Sequence, residues 1–328
     1  MTRLRRWLPA MAGLWLAACA GATAVPPFTG LAGDGWSPAA AAVRPVGLGL
    51  PGGARLADGV RFAGGVELVL EAGSPLHSLS DLKLRDDLGF VSVSDAGDLV
   101  QGRLVLDRAG ALSGLAALRV RRLADLDGRP IGDKAAGDAE GLLLTADGDL
   151  FVAFEREHRI WNYGPLDALA ARPVPARRPD VAFGLNDGME GLATAPGDRW
   201  RVTGESGGVW DCSPLRCAEV VAPPEPPLAD GDYRITGLDR DPSGGGWIVV
   251  QRSFSPPVDA RARVRRMAPD GALGPVLIEL KLPGTTDNFE GLAAVARDGA
   301  TRLYILSDDN DRPAQRTLLL AFDVASGR

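Results

Sequence analysis

The sequence is poor in the residues that bind transition metals. Its 328 residues include only 3 cysteines and 2 histidines, His77 and His158. So few nitrogen and sulfur ligands argue against a zinc centre, which needs three or four of them. Basic charge is scarce as well, since 36 lysines and arginines face 42 acidic residues and leave a net charge of −6. An acidic chain of this kind is not expected to bind nucleic acid.

Long apolar stretches are also lacking, apart from one between Trp7 and Ala18. That stretch is shorter than the roughly 20 apolar residues of a transmembrane helix, and three arginines precede it. The tetrapeptide Leu16-Ala17-Ala18-Cys19 resembles the lipobox of bacterial lipoproteins. We therefore expect residues 1–18 to be a signal peptide and Cys19 to carry the lipid. Residues 19–60 are rich in Ala, Gly and Pro and are expected to form a tether and an irregular lead-in.

These features predict an exported protein in the periplasm that contacts a membrane only through its N-terminal lipid. Ala20 replaces the aspartate that commonly retains lipoproteins in the inner membrane, which favours the outer membrane. The alternative is an ordinary secretory signal with a chance cysteine.

An oxidising compartment also favours a disulfide between Cys212 and Cys217, across a Ser-Pro turn. The alternative there is a pair of free thiols. The protein is expected to be a monomer.

The body of the chain consists of short apolar runs separated by turn residues. Leu142-Leu143-Leu144 is followed by Asp147-Gly148 and then by Leu150-Phe151-Val152. This spacing is typical of β-hairpins, and helical periodicity is scarce. The pattern predicts an all-β protein.

A short signature also repeats along the chain. Glu-Gly-Leu begins at Glu140, Glu190 and Glu290, and two variants begin at Ser80 and Thr236. Successive copies are separated by a distance near the length of a propeller blade, which is about 40–50 residues. We therefore predict a β-propeller over residues 61–328, with five or six blades of four-stranded antiparallel sheet. Residues 61–71 are expected to pair with 317–324 and to close the ring.

A second polar residue follows each signature at a nearly fixed distance. The number of residues between the signature and this second residue is the same in the first four repeats and slightly larger in the last. The second set of polar residues consists of Asp95, Glu155, Glu205, Gln251 and Asp308. Because the offset spans one hairpin, both residues should lie at the same end of two adjacent strands. In a propeller the inner strands line a central channel, so the first set predicts a ring at the channel mouth.

Several longer motifs resemble a known family. They are Asp138–Leu142, Phe154–Trp161, Asn186–Leu192, Asp287–Leu292 and Leu303–Asn310. Together they resemble the bacterial phytase-like family, also called esterase-like activity of phytase, over roughly residues 60–325. The resemblance implies a β-propeller and hydrolysis of an ester or phosphoester. The chain departs from the family at Gln251, where an acid is common, and at Ser80-Asp81-Leu82, where Gly-Leu is expected.

Carboxylates gathered at one mouth repel each other unless cations neutralise them. Calcium is the expected cation, because it takes six to eight oxygen ligands. The predicted ligands are Glu140, Glu190, Glu290, Asp308, Asp309 and Asn310. The predicted catalytic residues are Glu155, Arg156, His158, Glu205 and Arg252, with the arginines gripping phosphate or carboxylate.

Each of these assignments has a structural alternative. A glutamate of the ring could accept backbone N–H groups from a neighbouring blade, His158 could serve packing alone, and residues 307–310 could form a solvated turn. The sequence leaves two functional hypotheses open. The first is a calcium-dependent hydrolase of a small phosphorylated or esterified substrate, and the second is a non-catalytic propeller that binds a ligand or a protein.

Overall fold

A computed structural model describes residues 35–85, 87–255 and 259–325. The predicted signal peptide 1–18, Cys19 and the lead-in as far as residue 34 lie outside the described residues, so export and lipidation stay predictions. Within the described ranges, no helix is both long enough and apolar enough to cross a bilayer.

The described residues form 23 strands and two short helical segments. The helical segments are α1 (Lys134–Gly137) and a single 3-10 turn (Leu166–Ala168). The strands, in chain order, are β1 (Ser37–Pro38), β2 (Ala42–Pro45), β3 (Ala54–Leu56), β4 (Val60–Val69), β5 (Leu79–Leu84), β6 (Gly89–Ser94), β7 (Asp98–Leu106), β8 (Leu112–Arg122), β9 (Ala139–Leu144), β10 (Asp149–Phe154), β11 (Arg159–Pro165), β12 (Val174–Ala176), β13 (Gly191–Ala195), β14 (Arg199–Thr203), β15 (Val209–Cys212), β16 (Cys217–Val221), β17 (Arg234–Arg240), β18 (Trp247–Ser255), β19 (Asp259–Met267), β20 (Leu273–Lys281), β21 (Asn288–Arg297), β22 (Ala300–Asp308) and β23 (Thr317–Ala325).

Most of these strands belong to four-stranded antiparallel meanders. The meanders are β5–β8, β9–β12, β13–β16, β17–β20 and, last, β21–β23 completed by β4. Their first strands lie side by side in the order β5, β9, β13, β17 and β21, and β21 returns to β5. Sheets arranged radially around a ring of inner strands are the architecture of a β-propeller. The prediction of an all-β propeller is therefore confirmed.

The ring is closed by pairing of the N-terminal strand β4 with the C-terminal strand β23. β4 pairs antiparallel with β23, from Thr317 opposite Leu68 to Val324 opposite Val60. This is the pairing that the sequence predicted, and it leaves the last meander without an open edge. β4 also meets β8 at Gly64 and Leu112, which joins the first and last meanders into one ten-stranded sheet.

The lead-in differs from its expectation from residue 35 onwards. Rather than staying irregular, it contributes β1, β2 and β3 to the edges of the sheets. These strands pair with β8, β4 and β20 respectively. The lead-in therefore covers strand edges that would otherwise be exposed.

The apolar residues of each inner strand alternate between two neighbouring meanders. Leu142 packs with Val91 and Val93 of the preceding meander, whereas Leu143 packs with Leu192 and Val202 of the following one. Both faces of an inner strand are buried, which explains the unbroken apolar runs after each signature. Full burial of one such side chain contributes about 1.5–3 kcal/mol.

The third meander carries the disulfide that the sequence predicted. Cys212 and Cys217 lie opposite each other on β15 and β16 and are bonded through their sulfur atoms. The Ser213 N–H donates to the Arg216 carbonyl at 2.8 Å and closes the turn between the two strands.

Candidate functional site

A β-bulge at the start of most inner strands sets the orientation of the signature side chains. In β5, β9, β17 and β21 the pairing register skips one residue, and that residue is the signature's first member. The skipped residues are Ser80, Glu140, Thr236 and Glu290. The remaining member, Glu190, comes directly before β13. A bulge turns a side chain away from the sheet face, so these residues point out of the regular packing.

The second set of polar residues lies at the same end of the sheets. The backbone N–H groups of Asp95, Glu155 and Glu205 donate to carbonyls just before the inner strands. In the last two repeats, Gln251 pairs with Ile235 and Asp308 pairs with Asn288. A single end of the propeller therefore carries both sets.

Glycine follows the signature residue because neighbouring inner strands approach closely. A Cβ atom on Gly237 would lie 2.1 Å from the Glu290 carbonyl oxygen, and one on Gly141 would lie 2.9 Å from that of Glu190. Only glycine fits such contacts without moving the backbone.

The first repeat has Asp81 in place of this glycine, and Asp81 lies at the centre of the ring. Its buried carboxylate accepts the N–H groups of Leu142 at 2.8 Å and Leu292 at 3.2 Å. The Lys83 ammonium donates to Asp81 at 2.8 Å and to the carbonyls of Leu238 and Leu292 at 3.1 and 3.2 Å. This axial ion pair thus ties four meanders together. The sequence showed Asp81 only as a departure from the pattern, and the polar i, i+2 pair was the available signal.

Two groups of carboxylates at the mouth are close enough to share a cation. Asp138, Glu140 and Glu155 form one, and Glu155, Glu190 and Glu205 form the other. In each group the three ligand oxygens lie within 4.8 Å of one another. Oxygen is the only donor element in either group, which suits a hard divalent cation. Asp138 was missed by the sequence analysis, although it stands two residues before the signature.

Three basic side chains compensate part of this charge. Lys134 and Arg156 both donate to Asp138, one to each carboxylate oxygen. Arg252 donates to Glu205 Oε1 at 2.8 Å and to Asn288 Oδ1 at 2.5 Å, and lies 3.4 Å from Glu290 Oε1.

Other carboxylates of the mouth have no donor at all among the described residues. Glu190 Oε2 is buried and accepts no hydrogen bond. Glu155 is only 8% exposed, and none of the other described residues forms a hydrogen bond or ion pair with its carboxylate. The predicted structural alternative had ring glutamates hold neighbouring backbones; no described N–H group donates to Glu190 Oε2, and the residue that holds neighbouring backbones is Asp81, which is not one of those glutamates. A buried charge without a partner is costly, so these oxygens need a cation or a proton.

The pKa values of the buried mouth carboxylates are raised. Burial and the charges of Asp138 and Glu205 raise the pKa of Glu155 to about 8. Burial raises the pKa of Glu290 to about 7, although Arg252 opposes the rise. Burial and neighbouring carboxylates hold the pKa values of Glu140, Glu190 and Asp308 well above their usual range. Without a cation, the mouth therefore retains protons near neutral pH.

The remaining predicted ligands lie beside this cluster. Asp308 is buried near Glu290, and its Oδ1 accepts the backbone N–H of Asn310 at 2.6 Å. The Asp309 carboxylate accepts hydrogen bonds from the Ser78 N–H at 2.9 Å and the Thr317 hydroxyl at 2.7 Å, and it pairs with His77 at 2.7 Å. Asp309 thus connects the first and last meanders. Its assignment and that of Asn310 as metal ligands stay predictions.

His158 contacts backbone and an aromatic ring. Its Nε2 lies 2.8 Å from the Gly184 carbonyl oxygen, and its ring centroid lies 5.3 Å from that of Phe183. The Gly184 carbonyl can therefore fix the orientation of the ring, while no carboxylate among the described residues hydrogen-bonds to it. The catalytic role of His158 stays a prediction.

Comparisons with solved structures found several similar chains. A candidate gluconolactonase is similar at 14% identity, with 86% of this chain and 96% of that chain covered and a TM-score of 0.45. The major allergen Mala s 1 of Malassezia sympodialis is similar at 14% identity, covering 81% and 90% of the two chains, with a TM-score of 0.42. The PQQ-bound aldose sugar dehydrogenase of Streptomyces coelicolor is similar at 13% identity, covering 87% and 99%, with a TM-score of 0.38.

No conclusion about this chain is drawn from likenesses at this level. The search of curated proteins found no match. The family comparison does match: residues 74–311 fit the family described as Phytase-like, esterase-like activity of phytase. This range includes every signature and both carboxylate groups, and the chain therefore belongs to the phytase-like family.

Proposed function

We propose that the protein is a hydrolase that uses a divalent cation, calcium in our proposal, to cleave a phosphomonoester or carboxylic ester at the channel mouth. The observation that carries this proposal is Glu190 Oε2, a buried oxygen that has no donor among the described residues and lies inside a group of three carboxylates. A cation or a proton must compensate an oxygen in that position, and a cation can be shared by all three carboxylates. Membership of the phytase-like family supports an ester-cleaving activity.

The residues of the second carboxylate group, Glu155, Glu190 and Glu205, would hold the cation. When bound, a divalent cation polarises an ester or phosphoryl oxygen and lowers the pKa of bound water. The chain's own contribution is to position that oxygen. Arg252 is held by Glu205 and Asn288 and lies beside the group, where its charge would orient an anionic substrate.

Arg156 would act on the other side of the mouth. Its Nε donates to Asp138, and its two terminal nitrogens make no hydrogen bond to the described residues. These nitrogens form a fork that matches two oxygens of a phosphate or carboxylate. Arg156 and Arg252 would therefore bind the substrate from two sides and stabilise negative charge that develops during cleavage.

The test is an assay of the purified protein with p-nitrophenyl phosphate and p-nitrophenyl acetate, in calcium and after removal of metal. We expect hydrolysis that depends on calcium, and a fall in kcat/KM of at least about 100-fold for Glu190→Gln. Alanine at Glu290 or Asp308 should also lower the activity. Glu219→Gln is the matched control, because Glu219 is an exposed glutamate outside the mouth.

Hydrolysis that persists without metal and in Glu190→Gln would overturn the proposed site. Calcium binding without turnover of either ester would instead favour the non-catalytic alternative, a propeller that binds a ligand or protein partner.

A further inference from the structure

We propose that the mouth binds two divalent cations and that Glu155 is the carboxylate shared between them. This inference rests on the proposed function, because it assigns a second cation to the same mouth.

The geometry of the carboxylate groups separates two cation positions. Three oxygens within 4.8 Å of one another are close enough to share one ion after small side-chain movements, because calcium–oxygen distances are about 2.3–2.6 Å. Glu140 belongs only to the first group, whereas Glu190 and Glu205 belong only to the second. Glu155 is the one member common to both groups in the described part of the chain. One ion in each group would therefore be bridged by Glu155.

The hydrogen bonds at the mouth support this division. Glu155 belongs to both groups, is more than nine-tenths buried and accepts no hydrogen bond from the other described residues. Glu190 Oε2 is a buried oxygen of the second group that likewise has no donor in the described part of the chain. A carboxylate can bind one ion through each of its two oxygens, and no described protein group competes for those of Glu155.

The charge at the mouth also favours a second ion. Lys134 and Arg156 are both engaged by Asp138, and Arg252 is engaged by Glu205. Among the described residues, Glu140, Glu155 and Glu190 have no such partner, so a single divalent ion would leave part of the negative charge of these three carboxylates uncompensated. A second ion would compensate that remaining charge. The mouth, flanked by Arg156 and Arg252, would then repel an anionic substrate less strongly.

The two positions should differ in affinity. Asp138, in the first group, already accepts hydrogen bonds from two basic side chains. These positive charges repel a cation, so the first group should bind calcium more weakly than the second.

The inference is tested by counting bound calcium. Metal-free protein is titrated with calcium chloride by isothermal titration calorimetry, and the count is checked by elemental analysis after equilibrium dialysis. We expect two ions per chain with unequal affinities, and one ion in Glu140→Gln or in Glu190→Gln. Glu155→Gln should weaken both positions at least about tenfold. The exposed control Glu219→Gln should keep two ions.

Thermal unfolding of the metal-free proteins distinguishes a lost site from a lost fold. Replacing Glu155 by Gln removes a repelling buried carboxylate, so the metal-free variant should unfold at a higher temperature than the metal-free wild type. A variant that is more stable yet binds calcium poorly supports the shared ligand.

The outcomes separate this inference from the proposed function. One ion in the wild type, retained in Glu140→Gln and lost in Glu190→Gln, would overturn the bridged pair and keep a single-cation hydrolase. Two ions that both persist in Glu155→Gln would overturn the shared ligand. No binding of calcium at all would overturn the inference, and metal-free activity would then overturn the proposed function as well.

Discussion

Asp81 and Lys83 illustrate how one exception to a repeat can stabilise a ring. Four repeats have glycine at the position of closest approach between inner strands, and the first repeat has an aspartate there. Its carboxylate occupies the centre of the ring and accepts N–H groups from the second and last meanders. Because Asp81 is completely buried, its charge depends on the Lys83 ammonium.

Lys83→Met should therefore destabilise the protein by about 3–5 kcal/mol, since it leaves the Asp81 carboxylate buried and without its ion-pair partner. Urea unfolding of the two proteins measures this difference. Lys281→Met is the matched control, because Lys281 is exposed, and its effect should stay within about 0.5 kcal/mol. A loss below about 1 kcal/mol for Lys83→Met would contradict the axial position of the pair.

Some residues of the mouth were identified from the sequence, and others were not. Glu140, Glu190 and Glu290 were identified because each begins a repeated triplet. Asp138 and Lys134 belong to no triplet; their i, i+4 ion pair is local, but only the structure shows that Asp138 lies beside Glu140 and Glu155. Arg252 was identified, but its partners Glu205, Asn288 and Glu290 come from two other repeats.

At the scale of strands, the bulge explains how a polar residue leads an apolar run. The signature residue is skipped by the pairing register, so its side chain turns towards the mouth while the following leucine enters the core. The offset between the two polar sets is the same in the first four repeats because one hairpin of constant length separates them. This regularity made the positions of both polar sets predictable.

The junction of the first and last meanders is a second feature at this scale. His77 precedes β5 and pairs with Asp309, which follows β22. Burial of the imidazole opposes its charge, but the hydrogen bond and the charge of Asp309 outweigh burial and raise the pKa of His77 above 6.5. The junction is therefore strongest when His77 is protonated.

A histidine whose pKa is higher in the folded state stabilises the protein below pH 6.5, and this contribution is lost as the pH rises through the raised pKa. We expect His77→Ala to lower the unfolding free energy by roughly 1 kcal/mol at pH 5.5 and by less at pH 9. Urea unfolding in excess calcium measures this difference while the mouth carboxylates stay bound. An equal loss at both pH values would exclude a charged His77–Asp309 pair.

At the scale of the whole molecule, the acidic mouth should make stability depend on pH and on cations together. Glu155 and Glu290, with pKa values of about 8 and about 7 in the folded protein, have an ordinary value of 4.5. Between pH 4.5 and 8 the folded state then binds more protons than the unfolded state. The stability of the metal-free protein must therefore fall as the pH rises through this range.

We expect the melting temperature of the metal-free protein to be lower at pH 8.5 than at pH 5.5, by an amount on the order of 5 °C. Calcium should restore the melting temperature at pH 8.5 and have less effect at pH 5.5, because protons then occupy the same carboxylates. Differential scanning calorimetry of dialysed protein measures both effects. A melting temperature that rises with pH in the absence of metal would contradict the crowded, buried carboxylates.

The sequence by itself determined the β-propeller, its closing strand pair and the two sets of polar residues at one end. These features depend on local patterns, namely apolar runs, turn residues and glycine at close approaches, and a repeat presents each pattern several times. Only the tertiary structure decided which carboxylates converge, that Glu155 lies in both groups and that Asp81 and Lys83 occupy the axis. Glu155 meets Glu190 and Glu205 of the following meander, and Asp81 meets Leu142 and Leu292 of two other meanders. No local pattern encodes the distance between residues that only packing brings together.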